Sequence, residues 1–176
     1  MRDPRADRPH MPGYGVRASA DGLLDWSWAE ERLRASRSFW LATSWPDGRP
    51  HLMPVWAVWD AGGLWFSTGL RSRKARNLLA DPRCVVTTED ASSPVVVEGV
   101  ARFERDGGAI ARVAGLLGDK YDVELGPEFH DPERNATISV TPRRAFGLAD
   151  EDLVASATRW TFDASGYAQP RRPPAR

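Results

Sequence analysis

The sequence predicts a mainly β chain, a small barrel of short antiparallel strands with flanking helices, on three observations. Short runs rich in β-branched and aromatic residues follow one another closely, with turn signals such as Pro46-Asp-Gly-Arg49 and Ala61-Gly-Gly63 between them. Helical patterns are few and short by comparison. The 176 residues, 41% of them hydrophobic and eight of them tryptophan, fit one domain with a real core, and a single domain is expected. Six or seven such strands close most naturally into a barrel.

Residues 1–22 mix proline, glycine and charge without periodicity and are expected to form a flexible tail; residues 166–176 read the same way, leaving 23–165 as the folded domain. Ser27-Trp-Ala-Glu30 has the spacing of a capping box ahead of Leu33, which predicts a helix to about Arg37. A meander of strands follows at Phe39 to Trp45, Pro50 to Asp60 and Leu64 to Thr68. In Val55-Trp-Ala-Val-Trp59 both parities are apolar, so this strand is expected to be covered on two faces, one by the core and one by a partner subunit or a flat ligand. Ser72 to Ala80 carries helix formers, Asp81-Pro82 breaks the chain, and strands resume at Arg83 to Glu89 and Pro94 to Glu104. Ala109 to Tyr121 reads as helix, Ala136 to Val140 and Arg144 to Leu148 as two strands, and Ala157 to Phe162 as the last strand.

The run Ser67-Thr-Gly-Leu-Arg-Ser-Arg-Lys-Ala-Arg-Asn77 joins a polar strand end to a helix start and places four positive charges in eleven residues. With Ser72 as N-cap, the free N–H groups of the first turn and the positive end of the helix dipole favour an anion there. Lys74 is one of only two lysines in the chain, and a compact ammonium suits phosphate. The competing reading is a solvated basic face.

Balanced charge, with 24 basic and 24 acidic residues, argues against a nucleic-acid binder, which needs an excess of positive charge to compete for phosphates. No apolar stretch approaches the roughly 18 residues of a membrane span, and the N-terminus lacks the apolar segment of a signal peptide, so a cytoplasmic protein is expected. A single cysteine, Cys84, excludes an internal disulfide and any multi-cysteine metal site, and its neighbours Val85 and Val86 place it in the core. His10, His51 and His130 stand in no metal-binding spacing, and surface roles are their plainer reading. No G-x-G-x-x-G, Walker A or G-x-S-x-G motif is present, and no nucleophile and base pair stands out. A chain with an anion anchor and no catalytic side chains suggests a cofactor that carries the chemistry itself.

The stretch from Trp40-Leu-Ala-Thr-Ser-Trp-Pro-Asp-Gly-Arg-Pro50 through Pro54-Val-Trp56, Leu64-Trp-Phe-Ser-Thr68, Ser72-Arg-Lys74 and Asp81-Pro-Arg83 resembles the flavin-binding split-barrel superfamily that contains pyridoxamine 5′-phosphate oxidase. It is most similar to that superfamily's F420 (deazaflavin)-dependent oxidoreductases. The resemblance implies an FMN-binding-protein-like split β-barrel and a homodimer with the cofactor between subunits. It further implies that Ser72, Arg73 and Lys74 hold the cofactor phosphate, that Asn77 adds a polar contact to it, and that Ser67 and Thr68 touch the ribityl chain. The backbone of Met53, Pro54, Val55 and Trp56 would line the ring, and Trp160 would reach the partner's cofactor.

Departures from the pattern are equally informative. On a gapless reading back from Phe66, Leu52 and Ala57 fall where the pyridoxine-phosphate oxidases carry basic FMN contacts, and Arg159-Trp160-Thr161 does not reproduce their Arg-x-His pattern. The resemblance therefore implies hydride transfer between F420 and a small substrate, with an FMN enzyme or a non-catalytic F420 or flavin carrier as alternatives. No catalytic side chain and no metal site is assigned.

Overall fold

The computed structural model describes residues 3–163. In chain order the elements are β1 (Arg5–Asp7), α1 (Trp26–Ala35), β2 (Phe39–Ser44), β3 (Pro50–Val55), β4 (Ala57–Asp60), β5 (Gly63–Gly69), α2 (Arg73–Ala80), β6 (Arg83–Thr88), β7 (Val95–Phe103), α3 (Gly107–Tyr121), β8 (Asn135–Gly147), α4 (Leu153–Ser156) and β9 (Thr158–Thr161). All pairings are antiparallel. The circuit β3–β2–β6–β7–β8–β5–β4 returns to β3 through one residue, Trp56, with no pairing between β3 and β4, which makes a barrel split at that seam.

Alternation builds the interior. Phe39, Leu41 and Thr43 of β2, Leu64 and Phe66 of β5, Val95 and Val97 of β7, and Ile138 and Val140 of β8 all point inward and are buried. Cys84 joins this core as expected; burial pushes its thiol up to about 12.

Several expectations are corrected. The two strands foreseen around residues 136–148 are one continuous β8, whose register against β7 shifts between Glu98 and Gly99, so that Glu98 faces Arg144 and Gly99 faces Pro142. The bulge accommodates Pro142 inside the strand. Conversely, the strand expected over 50–60 is interrupted at Trp56. Part of its second apolar face is covered by the chain itself, since Val58 packs with Val113, Leu117 and Tyr121 of α3 in a separate small cluster, while Trp56 on the same face stays 54% exposed.

The capping box does not form. Helix α1 begins at Trp26, with Asp25 as N-cap and no side-chain cap bond, because Trp26 is drawn into edge-to-face contact with Trp59, Trp160 and Phe162 at ring distances of 5.8, 5.4 and 5.0 Å. Glu30 instead accepts from the Trp59 indole N–H at 3.0 Å.

The flexible tail expected over residues 1–22 is also revised. Strand β1 pairs with β9, Asp7 accepts from Arg159 at 2.7 Å, and the Arg8 guanidinium donates to the carbonyls of Ser19, Asp21, Ala155 and Ala157. One arginine satisfying four carbonyls holds a segment that has little apolar content. The tail expected over 166–176 lies outside the described residues.

Candidate functional site: a basic helix start beside an exposed strand edge

Helix α2 starts as its sequence predicts. Ser72 is the N-cap; its Oγ accepts from the Ala75 N–H at 3.2 Å and from the Thr68 hydroxyl at 3.2 Å, which ties the end of β5 to the helix start. The Arg76 N–H bonds the Ser72 carbonyl at 3.1 Å. The N–H groups of Arg73 and Lys74, earlier in the turn, have no acceptor within the helix, as helix geometry requires. Ser67, also on β5, donates to the Ala136 carbonyl and accepts from the Asn135 amide. Ser67, Thr68, Ser72, Arg73 and Lys74 are therefore brought to one corner of the barrel.

A second group of charges reaches that corner from the β2–β3 hairpin. Its turn is closed by paired backbone bonds between Trp45 and Arg49 and between Gly48 and Trp45, each 2.9 Å, with Gly48 at φ +87°. The Trp45 ring carries the Arg73 guanidinium 3.7 Å from its centre and that of Arg49 at 4.6 Å. Desolvation pulls the Arg73 guanidinium below its ordinary value, and the positive charges of Arg76 and Arg49 add to the effect. An anion here would relieve that repulsion. Asp47 pairs with Arg49, at 2.8 Å.

Next to this corner lies an exposed apolar edge. Strand β3 is terminal in the sheet path, and Leu52 and Met53 on it, with Trp56 just beyond, are 56%, 43% and 54% exposed. Leu52 and Met53 are successive and so face opposite sides, which leaves both faces of the edge uncovered. Trp40 on β2 is 43% exposed as well. Pro54 is exposed and Val55 is buried, so Val55 offers the edge its backbone alone.

The break at Trp56 has a specific cause. The Tyr121 hydroxyl accepts from the Ala57 N–H at 2.8 Å and donates to the Ala57 carbonyl at 3.0 Å, taking the place of a strand partner. Lys120 donates to the same carbonyl at 2.9 Å. Released from the ladder, the Trp56 ring lies flat on Tyr121, 4.5 Å between centres and 6° from parallel. Burial raises the Tyr121 phenol and lowers the Lys120 ammonium from their ordinary values.

Two residues stand elsewhere than the sequence reading placed them. Asn77 is fully buried, and its amide donates to the Thr43 hydroxyl at 3.0 Å; the exposed positions on α2 are Arg76, Leu79 and Ala80. Trp160 is fully buried between Trp26 and Trp28, which corrects its expected reach to a neighbouring subunit's cofactor. Sequence reasoning missed Trp45, Arg49, Lys120 and Tyr121 as parts of this corner, since each comes from a stretch distant in the chain. The open groove of about 710 Å³ beside α3, lined by Gly118, Asp122 and His130 among others, contains none of these residues.

Comparison with known proteins bears on what this corner binds. The family described as pyridoxamine 5′-phosphate oxidase matches residues 28–149. Among solved structures, an F420 reductase is similar at 28% identity, covering 66% of this chain and 94% of its own, with a TM-score of 0.55. A conserved hypothetical protein from Mycobacterium tuberculosis is 25% identical over 91% of this chain and 99% of its own, with a TM-score of 0.63. The haem storage protein HutZ from Vibrio cholerae, at 21% identity, 66% and 88% coverage and a TM-score of 0.56, shares the fold. No curated protein matches the chain.

Proposed function

Since the chain belongs to the pyridoxamine 5′-phosphate oxidase family, we propose that it is a cytoplasmic F420-dependent oxidoreductase acting on a small, electron-poor substrate. The observation that carries this reading is the Ser72-capped start of α2, where unpaired amides meet Arg73, Lys74 and the arginine-flanked Trp45 ring beside an exposed apolar edge. Phosphate at one end and a flat ring at the other match those two surfaces. The 28% identical F420 reductase supports the choice of deazaflavin. So does the absence of basic groups at Leu52, which is exposed, and at Ala57, which is buried and bound through its backbone to Tyr121.

In this reading Ser72, Arg73 and Lys74 hold the phosphate, and Arg49, Arg71 and Arg76 meet the anionic tail. Ser67 and Thr68 bound the polyol chain. Met53, Pro54, the Val55 backbone and Trp56 form the ring wall. F420, when bound, supplies hydride transfer. The protein's part is to orient: Trp56 is fixed by its stack on Tyr121, so its open face is preset before any ligand arrives, and positioning of that kind lowers the entropic barrier. No side chain is assigned a proton; solvent reaches the edge and can provide it. The uncovered faces of β3 are closed by a second copy of the chain, which makes the enzyme a homodimer with the cofactor at the seam.

Fluorescence titration tests the reading. Arg73→Ala combined with Lys74→Ala should weaken F420 binding by at least about tenfold, since each removes a charge-assisted contact. Unchanged affinity would sink it. An FMN enzyme would instead purify yellow from a host lacking F420, and tight F420 binding with no turnover of any electron-poor acceptor would identify a carrier.

A further inference from the structure

His51 of the hairpin is joined by hydrogen bonds, through Thr43, to the helix bearing the anion anchor. It sits on β3 opposite Thr43 of β2, and its Nδ1 lies 3.3 Å from the Thr43 hydroxyl oxygen. That hydroxyl also accepts from the Asn77 amide of α2 at 3.0 Å. Thr43 and Asn77 are buried, 4% and 0% exposed, whereas His51 is half-buried at the surface end of the chain of bonds.

The satisfaction of these groups sets the direction of the wire. The amide orientation with nitrogen toward Thr43 leaves the Asn77 carbonyl oxygen without a partner. That orientation satisfies one of the two amide N–H bonds, whereas the reverse would leave both without an acceptor, the costlier arrangement in a buried site. With Asn77 donating, Nδ1 of His51 is the acceptor that the described residues offer to the single proton of the Thr43 hydroxyl. The neutral ring then carries its proton on Nε2, on the side away from Thr43. Outside lie the Trp45 ring, edge-on to His51 at 6.4 Å, and the two guanidiniums that flank Trp45.

We propose that His51 is a further binding residue for the anionic end of the cofactor, presenting an Nε2–H donor whose tautomer is set by the buried Asn77–Thr43 pair. This rests on the F420 reading of the site. It gives the buried Asn77 a positioning role: it acts through Thr43 and His51, with no contact of its own. A directed N–H donor among arginines adds selectivity for a phosphate or carboxylate oxygen.

The test compares F420 with its chromophore lacking the phosphate tail, in wild type, His51→Phe, Thr43→Val and Thr43→Ser. The expected result is an F420 affinity about tenfold weaker in His51→Phe and Thr43→Val, restored in Thr43→Ser, with chromophore binding equal in all four. Equal F420 affinity in wild type and His51→Phe, or an equal loss for both ligands, overturns the inference while the F420 reading stands. Failure of the wild-type protein to bind F420 overturns both. Nitrogen-15 NMR of the histidine-labelled wild type gives a ligand-free check should the variants fold poorly. Protonated Nε2 with bare Nδ1 at His51 is the expected signature, and protonated Nδ1 overturns the inference.

Discussion

The guanidinium of Arg73, the first residue of α2, lies 3.7 Å from the centre of the Trp45 ring in the β2–β3 hairpin. This contact joins the helix start to a strand pair and fixes where the charge of Arg73 stands. Trp45→Ala should therefore weaken F420 binding about two- to fivefold, the loss of one partly exposed cation–π contact, with the thermal midpoint little changed. A loss as large as that of the Arg73 and Lys74 double variant would mean that Trp45 touches the ligand directly.

Tyr121→Phe should cost about 1–3 kcal/mol of folding stability. The fully buried Ala57 N–H would lose its acceptor, while Lys120 would still serve the carbonyl. Urea denaturation measures this, and a change below about 0.5 kcal/mol would show that the Ala57 N–H finds another acceptor.

Gly99→Ala should destabilise the barrel by about 1–3 kcal/mol. A Cβ at Gly99 would stand 2.5 Å from Cγ1 of Val140 and 2.8 Å from the Thr141 carbonyl oxygen, at the register shift between β7 and β8. A neutral substitution would mean that β8 moves away at little cost.

Cys84 makes stability fall at high pH. Burial raises its thiol in the folded state from 9.0 to about 12, so the unfolded chain ionises first. The stabilising contribution is complete below about pH 9 and is lost as pH rises toward 12. Urea midpoints taken between pH 8 and 11 should fall less steeply in Cys84→Ala than in wild type, and the native thiol should resist disulfide reagents. Parallel slopes in the two proteins would contradict the assignment.

Legibility in the sequence followed the range of the interactions involved. Strands such as Phe39–Ser44 were readable because alternation is local, and the Ser72 cap was readable because it needs only its own next turn. The start of α1 was not: Ser27 and Glu30 match a capping box, yet packing of Trp26 against Trp59 and Trp160 outweighs a cap worth about 1 kcal/mol. The break at Trp56 depends on Tyr121, far along the chain, and no local signal announces it. At the candidate site the same division holds. The run from Ser67 to Lys74 lies in one stretch, whereas Trp45, Arg49 and His51 join it only after the hairpin folds over α2. Asn77 shares that stretch, but the rotation of α2 turns it inward and exposes Leu79.

Fluorescence titration of the purified protein with F420 and, separately, with FMN tests the central claim most directly. Micromolar or tighter F420 binding with weak FMN binding, lost in the Arg73→Ala, Lys74→Ala double variant, is the predicted result. Tight FMN binding with none of F420, or binding of neither, would contradict it.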